Sequence, residues 1–179
     1  PEPKRLPYHM KPGQLVPQMA PFGCGQRYNI TGLIHDETGF PTNSTEEAAK
    51  LMERLMRKIS DNYDDIVQCE RVSLDDAETV IICYGGTMRA ARSAMEQARA
   101  DGKKVGIFRP ITIWPFPERE LREVIGKAKR VLVVEHNGGQ ILLEVERIAK
   151  GACPVDFIGR LNGTVITPQD ILKKLEEVQ

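Results

Sequence analysis

No C-x-x-C pair occurs in this chain, and its four cysteines, Cys24, Cys69, Cys83 and Cys153, stand 45, 14 and 70 residues apart. Such spacing matches neither a zinc site nor an iron–sulfur cluster motif. No stretch approaches the roughly 20 apolar residues needed to span a bilayer. No apolar signal core follows the opening Pro1-Glu2-Pro3-Lys4-Arg5. Net charge is also missing: 25 Lys plus Arg balance 25 Asp plus Glu, so no overall field draws in nucleic acid or an anionic membrane surface. These absences argue against nucleic-acid and membrane partners and leave a cytoplasmic protein as the expectation. Aromatic residues make up only 6% of the chain, with one Trp, so the place of that Trp is informative. Cys83 and Cys153 lie in or beside apolar runs, where a buried thiol acts as a small hydrophobe.

Four short apolar runs at nearly even spacing are what the chain does have: 80–84, 105–108, 131–134 and 155–158. Each is closed by a Gly- or Pro-containing loop, and each gap holds an amphipathic segment long enough for one crossover helix. That pattern predicts parallel strands buried on both faces. The units share no side-chain pattern beyond strand and helix, so the spacing reflects the size of a βα unit rather than a solenoid repeat. At 179 residues there is room for one ordinary domain plus an appendage.

The expected organisation has two parts, 1–74 and 75–179. Residues 1 to about 43 are rich in Pro and Gly without periodicity and should run extended over a surface. A helix over about 44–61 follows, with Ser44 and Glu47 as a capping box and Ala48, Leu51, Met52, Leu55, Met56 and Ile59 at helical spacing. The absent initiator Met and the Pro-rich start read either as a piece of a longer polypeptide or as the result of processing. Inside 75–179, Thr87 caps a helix with Met88, Ala91, Ala94, Met95 and Ala98 inward, ending at Asp101-Gly102. Pro117 opens a second, with Leu121, Val124 and Ile125 inward. A third after Gly138-Gly139 buries Ile141, Leu142, Val145 and Ile148, and a fourth from Thr167-Pro168 buries Ile171, Leu172, Leu175 and Val178.

In such a sheet, chemistry belongs where strands end and helices begin. Tyr84-Gly85-Gly86-Thr87 reads either as a tight turn or as a small-anion cradle at a helix N-terminus; it lacks the full dinucleotide and phosphate-loop fingerprints. In the stiff loop Arg109–Pro117 (RPITIWPFP), Trp114 and Phe116 either form an interface or fold onto their own core. Glu135, His136, Asn137 and Gln140, with Gly138-Gly139, form a polar loop that binds a ligand or holds a neighbouring loop. Arg109 is the best anion contact, or else a structural partner of Glu135. Far upstream, His35-Asp36-Glu37 reads as a proton-handling or substrate-orienting cluster, or as carboxylates bonding local backbone N–H groups or a cation across an interface. No catalytic residue and no metal ligand set is assigned.

Residues 109–117, then Val133-Val134-Glu135-His136-Asn137-Gly138-Gly139-Gln140 leading into Leu143-Glu144-Val145, resemble the C-terminal domain of the α subunit of 2-oxoacid:ferredoxin oxidoreductases. Thr31-Gly32-Leu33-Ile34-His35-Asp36-Glu37-Thr38-Gly39 is similar to a segment of the 2-oxoglutarate branch. The resemblance runs from about residue 20 to the end. It implies a three-layer α/β/α fold with a mostly parallel sheet, like the transketolase C-terminal domain. It implies an enzyme that cleaves a 2-oxoacid on thiamine diphosphate and Mg, passes electrons through iron–sulfur clusters to ferredoxin, and transfers the acyl group to coenzyme A. In that family the thiamine site lies between earlier α-subunit domains and a β subunit, the partners so implied. This chain is then expected to bind none of those cofactors, to be inactive alone, and to serve assembly and active-site framing. Two rivals stand beside it: the same family acting on pyruvate or a branched-chain oxoacid, and a free-standing module holding a small anion at its two Gly-Gly helix starts.

Overall fold

The structure, a computed structural model, describes residues 5–177. The expectations for the first prolines and for Val178 lie outside that range. The chain divides into two compact units, Pro1–Ile66 and Val67–Gln179.

In the second unit, β1 (Cys69–Val72), β2 (Thr79–Cys83), β3 (Val105–Pro110), β4 (Arg130–Glu135) and β5 (Val155–Gly159) form one sheet in the order β1-β3-β2-β4-β5. β1 runs antiparallel to β3, and every other neighbouring pair is parallel. The helices are α3 (Thr87–Ala100), α4 (Glu118–Ile125), α5 (Gln140–Ala149) and α6 (Pro168–Glu177). Because side chains alternate across a strand, each central strand feeds two cores. Ile81, Cys83, Leu132 and Val134 join the inner faces of α3 and α6. Val80, Ile82, Val131 and Val133 join those of α4 and α5, with Phe108. The result is the three-layer arrangement expected, with the runs of β2, β3 and β4 buried on both sides; the run 155–158, expected to be buried likewise, is only partly buried because β5 lies at the sheet edge.

Helix boundaries follow local chemistry. α3 ends where Gly102 turns to φ +81°, while the N–H groups of Gly102 and Lys103 return to the carbonyls of Arg99 and Ala98. This is a Schellman closure that a side chain at residue 102 would strain. At its start, Gly86 occupies the cap position without a side-chain bond. Thr87 is not the cap; it lies inside the helix, and its hydroxyl donates back to the Tyr84 carbonyl at 2.6 Å. Pro117 sits at the cap position of α4, one residue before the helix. Leu142 and Leu172 are only partly buried, at the margins of the two cores.

α6 begins on a reciprocal box. The Thr167 N–H donates to Asp170 Oδ2 at 2.8 Å, and the Asp170 N–H donates to Thr167 Oγ1 at 3.2 Å. These bonds, led by the Thr167 backbone N–H and helped by Arg160, hold the Asp170 carboxyl below its ordinary range. A depressed carboxylate contributes stability that is present above its unfolded pKa and is lost as pH falls through the folded one. Acidification below about pH 4 should therefore loosen α6 in the native chain, and less so in Asp170→Asn. Amide exchange along α6 in the two proteins tests this; parallel acid profiles would refute it.

β1 was not foreseen. Its four residues, Cys-Glu-Arg-Val, carry no apolar run, and the strand exists only because it pairs with β3. The compact unit accordingly begins at Val67 rather than near Asp75.

The first unit holds α1 (Thr45–Ser60) and α2 (Tyr63–Ile66). Ser44 caps α1 by accepting the Glu47 N–H at 3.3 Å. From residue 5 to residue 44 the backbone is turns and bends, with one isolated bridge, His35 to Pro41. Among its described residues only Pro7 and Gly39 are buried. Met52, Leu55 and Met56, at helical spacing on α1, are exposed by 49, 39 and 73%. A unit of this size without a core cannot offset its ordering entropy alone. Limited proteolysis of the isolated chain should trim it first and leave Val67 onward intact; equal resistance of both units would overturn that expectation.

Candidate functional site

The carboxyl ends of β2, β3 and β4 bring most of the singled-out residues to one rim. Glu135 closes β4 and is fully buried. Its Oε2 accepts the Ile141 N–H at 3.1 Å, its Oε1 the Leu142 N–H at 3.0 Å, and Asn137 Nδ2 donates to Oε2 at 2.8 Å. A carboxylate therefore already occupies the free N–H groups and positive dipole end of α5. Asn137 completes the knot: Nδ2 also donates to the Tyr84 hydroxyl at 2.8 Å, and Oδ1 accepts from Gly139 and Gln140. Burial and the Glu135 charge push the Tyr84 phenol up. Gly139 sits at φ +104°, and a Cβ there would meet Leu142 Cδ2 at 3.2 Å. His136 Nε2 accepts the Ile166 N–H at 3.4 Å, tying β4 to the segment before α6. These bonds tie the loop to α5, to Tyr84 at the end of β2 and to the segment before α6.

The first Gly-Gly turn has its own geometry. Gly85 adopts φ +56°, and the Thr87 hydroxyl donates to the Tyr84 carbonyl.

Arg109 does not pair with Glu135. Strand β2 lies between β3 and β4, so these two strand ends are not neighbours. Instead Arg109 Nη1 donates to Glu70 Oε2 at 3.1 Å, directly across the β1–β3 register. Glu70 Oε1 takes a second bond from Arg92 Nη2 at 2.7 Å. Arg109 Nε is buried without a partner. Glu70 and Arg92 escaped sequence reading because β1 did; Tyr84, next to the Gly-Gly turn and one strand from Glu135, could have been found. Phe116 packs on the α4–α5 core, while Trp114 stands 74% exposed.

In the first unit, His35-Asp36-Glu37 line an open cleft of about 780 Å³ with Tyr8, Lys50 and Arg54. Tyr8 stacks on His35 with ring centroids 3.7 Å apart. Asp36 accepts the Thr38 N–H at 2.8 Å and the Thr38 hydroxyl, which chiefly holds its carboxyl below the usual range. Glu37 Oε2 meets His9 Nδ1 at 2.7 Å, and Lys50 is engaged by Glu46 and Glu47. The carboxylates of Asp36 and Glu37 and the Lys50 ammonium are thus each engaged locally.

The cysteines are not gathered as cluster ligands among the described residues. Cys83 and Cys153 are buried in opposite cores, and Cys24 is exposed. Among the described residues no three His, Cys, Asp or Glu side chains come together as a metal site, and the α5 start already holds Glu135. Burial pushes the Cys83 thiol up to about 12. At about pH 8 iodoacetamide should modify Cys24 and leave Cys83 untouched until denaturant is added; peptide mapping checks this, and early Cys83 labelling would contradict it.

Fold and rim together define an α/β domain of three layers whose strand-end polar groups hold its own loops while one aromatic loop faces outward. The family described as pyruvate:ferredoxin oxidoreductase core domain II matches residues 77–171, and the chain belongs to that family. It is 40% identical over 174 residues to the 2-oxoglutarate synthase subunit KorA of Methanothermobacter marburgensis, covering 92% of this chain and 46% of that subunit. To KorA of Methanocaldococcus jannaschii it is 41% identical over 170 residues, covering 95% and 45%. The ketoisovalerate oxidoreductase subunit VorB of Methanothermobacter thermautotrophicus is 36% identical, with 87% and 43% covered. The chain thus spans less than half the length of these curated relatives. Among solved structures, the 2-oxoglutarate:ferredoxin oxidoreductase of Magnetococcus marinus, with 2-oxoglutarate, coenzyme A and succinyl-CoA bound, is similar at a TM-score of 0.82 and 25% identity, covering 98% of this chain and 31% of that one. A split-gene transketolase, the inactive beta4 tetramer, shares the fold at a TM-score of 0.54 and 16% identity, over 62% of this chain and 40% of that one. Among the described residues no helix is long and apolar enough to cross a membrane.

Proposed function

We propose that this chain is the C-terminal part of the α subunit of a cytoplasmic 2-oxoglutarate:ferredoxin oxidoreductase. The complete enzyme would cleave the 2-oxoacid, pass two electrons to ferredoxin and transfer the acyl group to coenzyme A, with thiamine diphosphate, Mg and iron–sulfur clusters carried elsewhere in the assembly. Those cofactors would supply the carbanion and electron-transfer chemistry. The observation that carries this reading is the pair of KorA relatives at about two-fifths identity along nearly the whole chain.

The part played by this region is assembly and framing of the active site. Its rim carboxylate, amide and phenol hold loops rather than present free groups to a substrate, and its first unit exposes apolar side chains that a neighbour would cover. The proposed neighbours are the earlier α-subunit domains and a β subunit. A branched-chain 2-oxoacid is the second reading for the substrate, favoured by the VorB relatives.

The test is capture of the native protein from its source cells under anaerobic conditions with an antibody to this chain. Coenzyme A-dependent reduction of a redox dye is then measured with 2-oxoglutarate, pyruvate and 2-oxoisovalerate in turn. Activity with 2-oxoglutarate is the expected result. Activity confined to 2-oxoisovalerate would move the substrate, and none with any 2-oxoacid would defeat the enzyme reading.

A further inference from the structure

The loop after β3 displays apolar surface that folding does not require. Ile111, Ile113 and Trp114 are exposed by 50, 40 and 74%, side by side on a segment fixed at both ends. At one end the N–H groups of Ile111 and Thr112 donate to the Gln68 carbonyl, each at 3.0 Å, and the Gln68 N–H donates to Thr112 Oγ1 at 3.0 Å. At the other, the partly buried Phe116 packs against the α4–α5 core. Pro110, Pro115 and Pro117 restrict the backbone between them. An indole held out on a stiff loop loses little conformational entropy when it is covered, which is the property of a binding hot spot.

Resting on the function proposed above, we infer that Trp114 is the anchor by which this domain docks on the portion of its own α subunit that lies outside the matched region. Three observations choose that occupant. In the KorA relatives, more than half of the subunit lies outside the match, so a large surface is available in the same polypeptide. The loop is a knob and requires a socket. One hollow of the second unit is lined largely by charged side chains, Glu78, Lys103, Lys104, Lys129 and Arg130, and another sets Arg71, Asp75, Glu123 and Lys127 around Leu74, Ala77, Val80 and Val124, so neither gives the indole of a second copy a purely apolar seat.

Trp114 is the chain's single Trp, which makes it its own reporter. The chain carrying 5-fluorotryptophan, with one ¹⁹F resonance, is mixed with the remainder of the α subunit, with the β subunit, or with excess unlabelled chain. In parallel, affinity for the remainder is measured for the native chain and for Trp114→Ala. The expected result is a shifted, solvent-protected resonance with the α-subunit remainder only, and roughly 30-fold weaker binding by Trp114→Ala with an unchanged melting temperature. Binding to the remainder with an unmoved resonance and unchanged Trp114→Ala affinity overturns the anchor and leaves the proposed function standing. A shift with the β subunit alone, or with excess chain alone, overturns the choice of occupant. No binding to the remainder by either measure defeats the proposed function along with the anchor.

Discussion

Glu135→Ala should destabilise the second unit by about 3–5 kcal/mol, the largest effect expected of any polar substitution in the chain. The carboxylate is fully buried and accepts three N–H donors: two from the first turn of α5 and one from Asn137. Removing it leaves those donors in the interior without partners, which costs more than the bonds themselves were worth. The first turn of α5 would fray, and Asn137 would lose the contact that orients it toward Gly139, Gln140 and Tyr84. Glu135→Gln should be milder, since its amide oxygen can serve one donor while its NH₂ faces the other two. Urea unfolding of the native chain and both variants decides this. Native stability in Glu135→Ala would mean that water or a bound anion replaces the carboxylate, and would reopen the α5 start as a ligand site.

Gly106→Val should be nearly as damaging, at about 3 kcal/mol, through overpacking. Gly106 lies in β3, paired with Val80 of β2. A Cβ there would stand 2.6 Å from the Ser73 carbonyl oxygen, 2.8 Å from Leu74 Cδ2 and 3.0 Å from Ala77 Cβ. Backbone is the closest neighbour and cannot swing aside like the end of a flexible side chain. The connection from β1 to β2 would have to move, and Arg99, which donates to the carbonyls of both Ser73 and Val105, would be pulled with it. Gly106→Ala carries the same Cβ contacts without the two further methyl groups of valine and should lose less. Thermal melts of the two variants, ordered Ala above Val and both below native, are the expected outcome; a native melt for Gly106→Val would show that this connection yields freely.

How much could be read in advance depended on where the physical signal lay. Three of the four apolar runs are buried as expected because strands covered on both faces must be apolar throughout, whereas 155–158 forms the edge strand β5 and is only partly buried. The inward residues of α3, Met88, Ala91, Ala94, Met95 and Ala98, are all buried because one face of a helix repeats at fixed spacing. Glu135, His136, Asn137 and Gln140 could be marked as a polar loop at a strand end, but not as a closed knot. That required knowing that α5 turns its first N–H groups onto the carboxylate. Trp114 and Phe116 are two residues apart and nearly alike in chemistry, yet one is packed and the other displayed.

The sequence by itself determined what depends on neighbours along the chain: the apolar runs, the helical faces, the Gly102 closure, the Ser44 cap, and the motifs that point to the oxidoreductase family. Only the tertiary structure decided what depends on neighbours across it. The polar strand β1 exists by pairing with β3, the second unit starts at Val67 instead of near Asp75 on that account, and Arg109 found Glu70 because β2 separates it from Glu135. The reason is the same in each case. Local periodicity and capping act within a few residues, whereas strand order brings together side chains tens of residues apart, such as Glu70 and Arg109, and no local pattern records it.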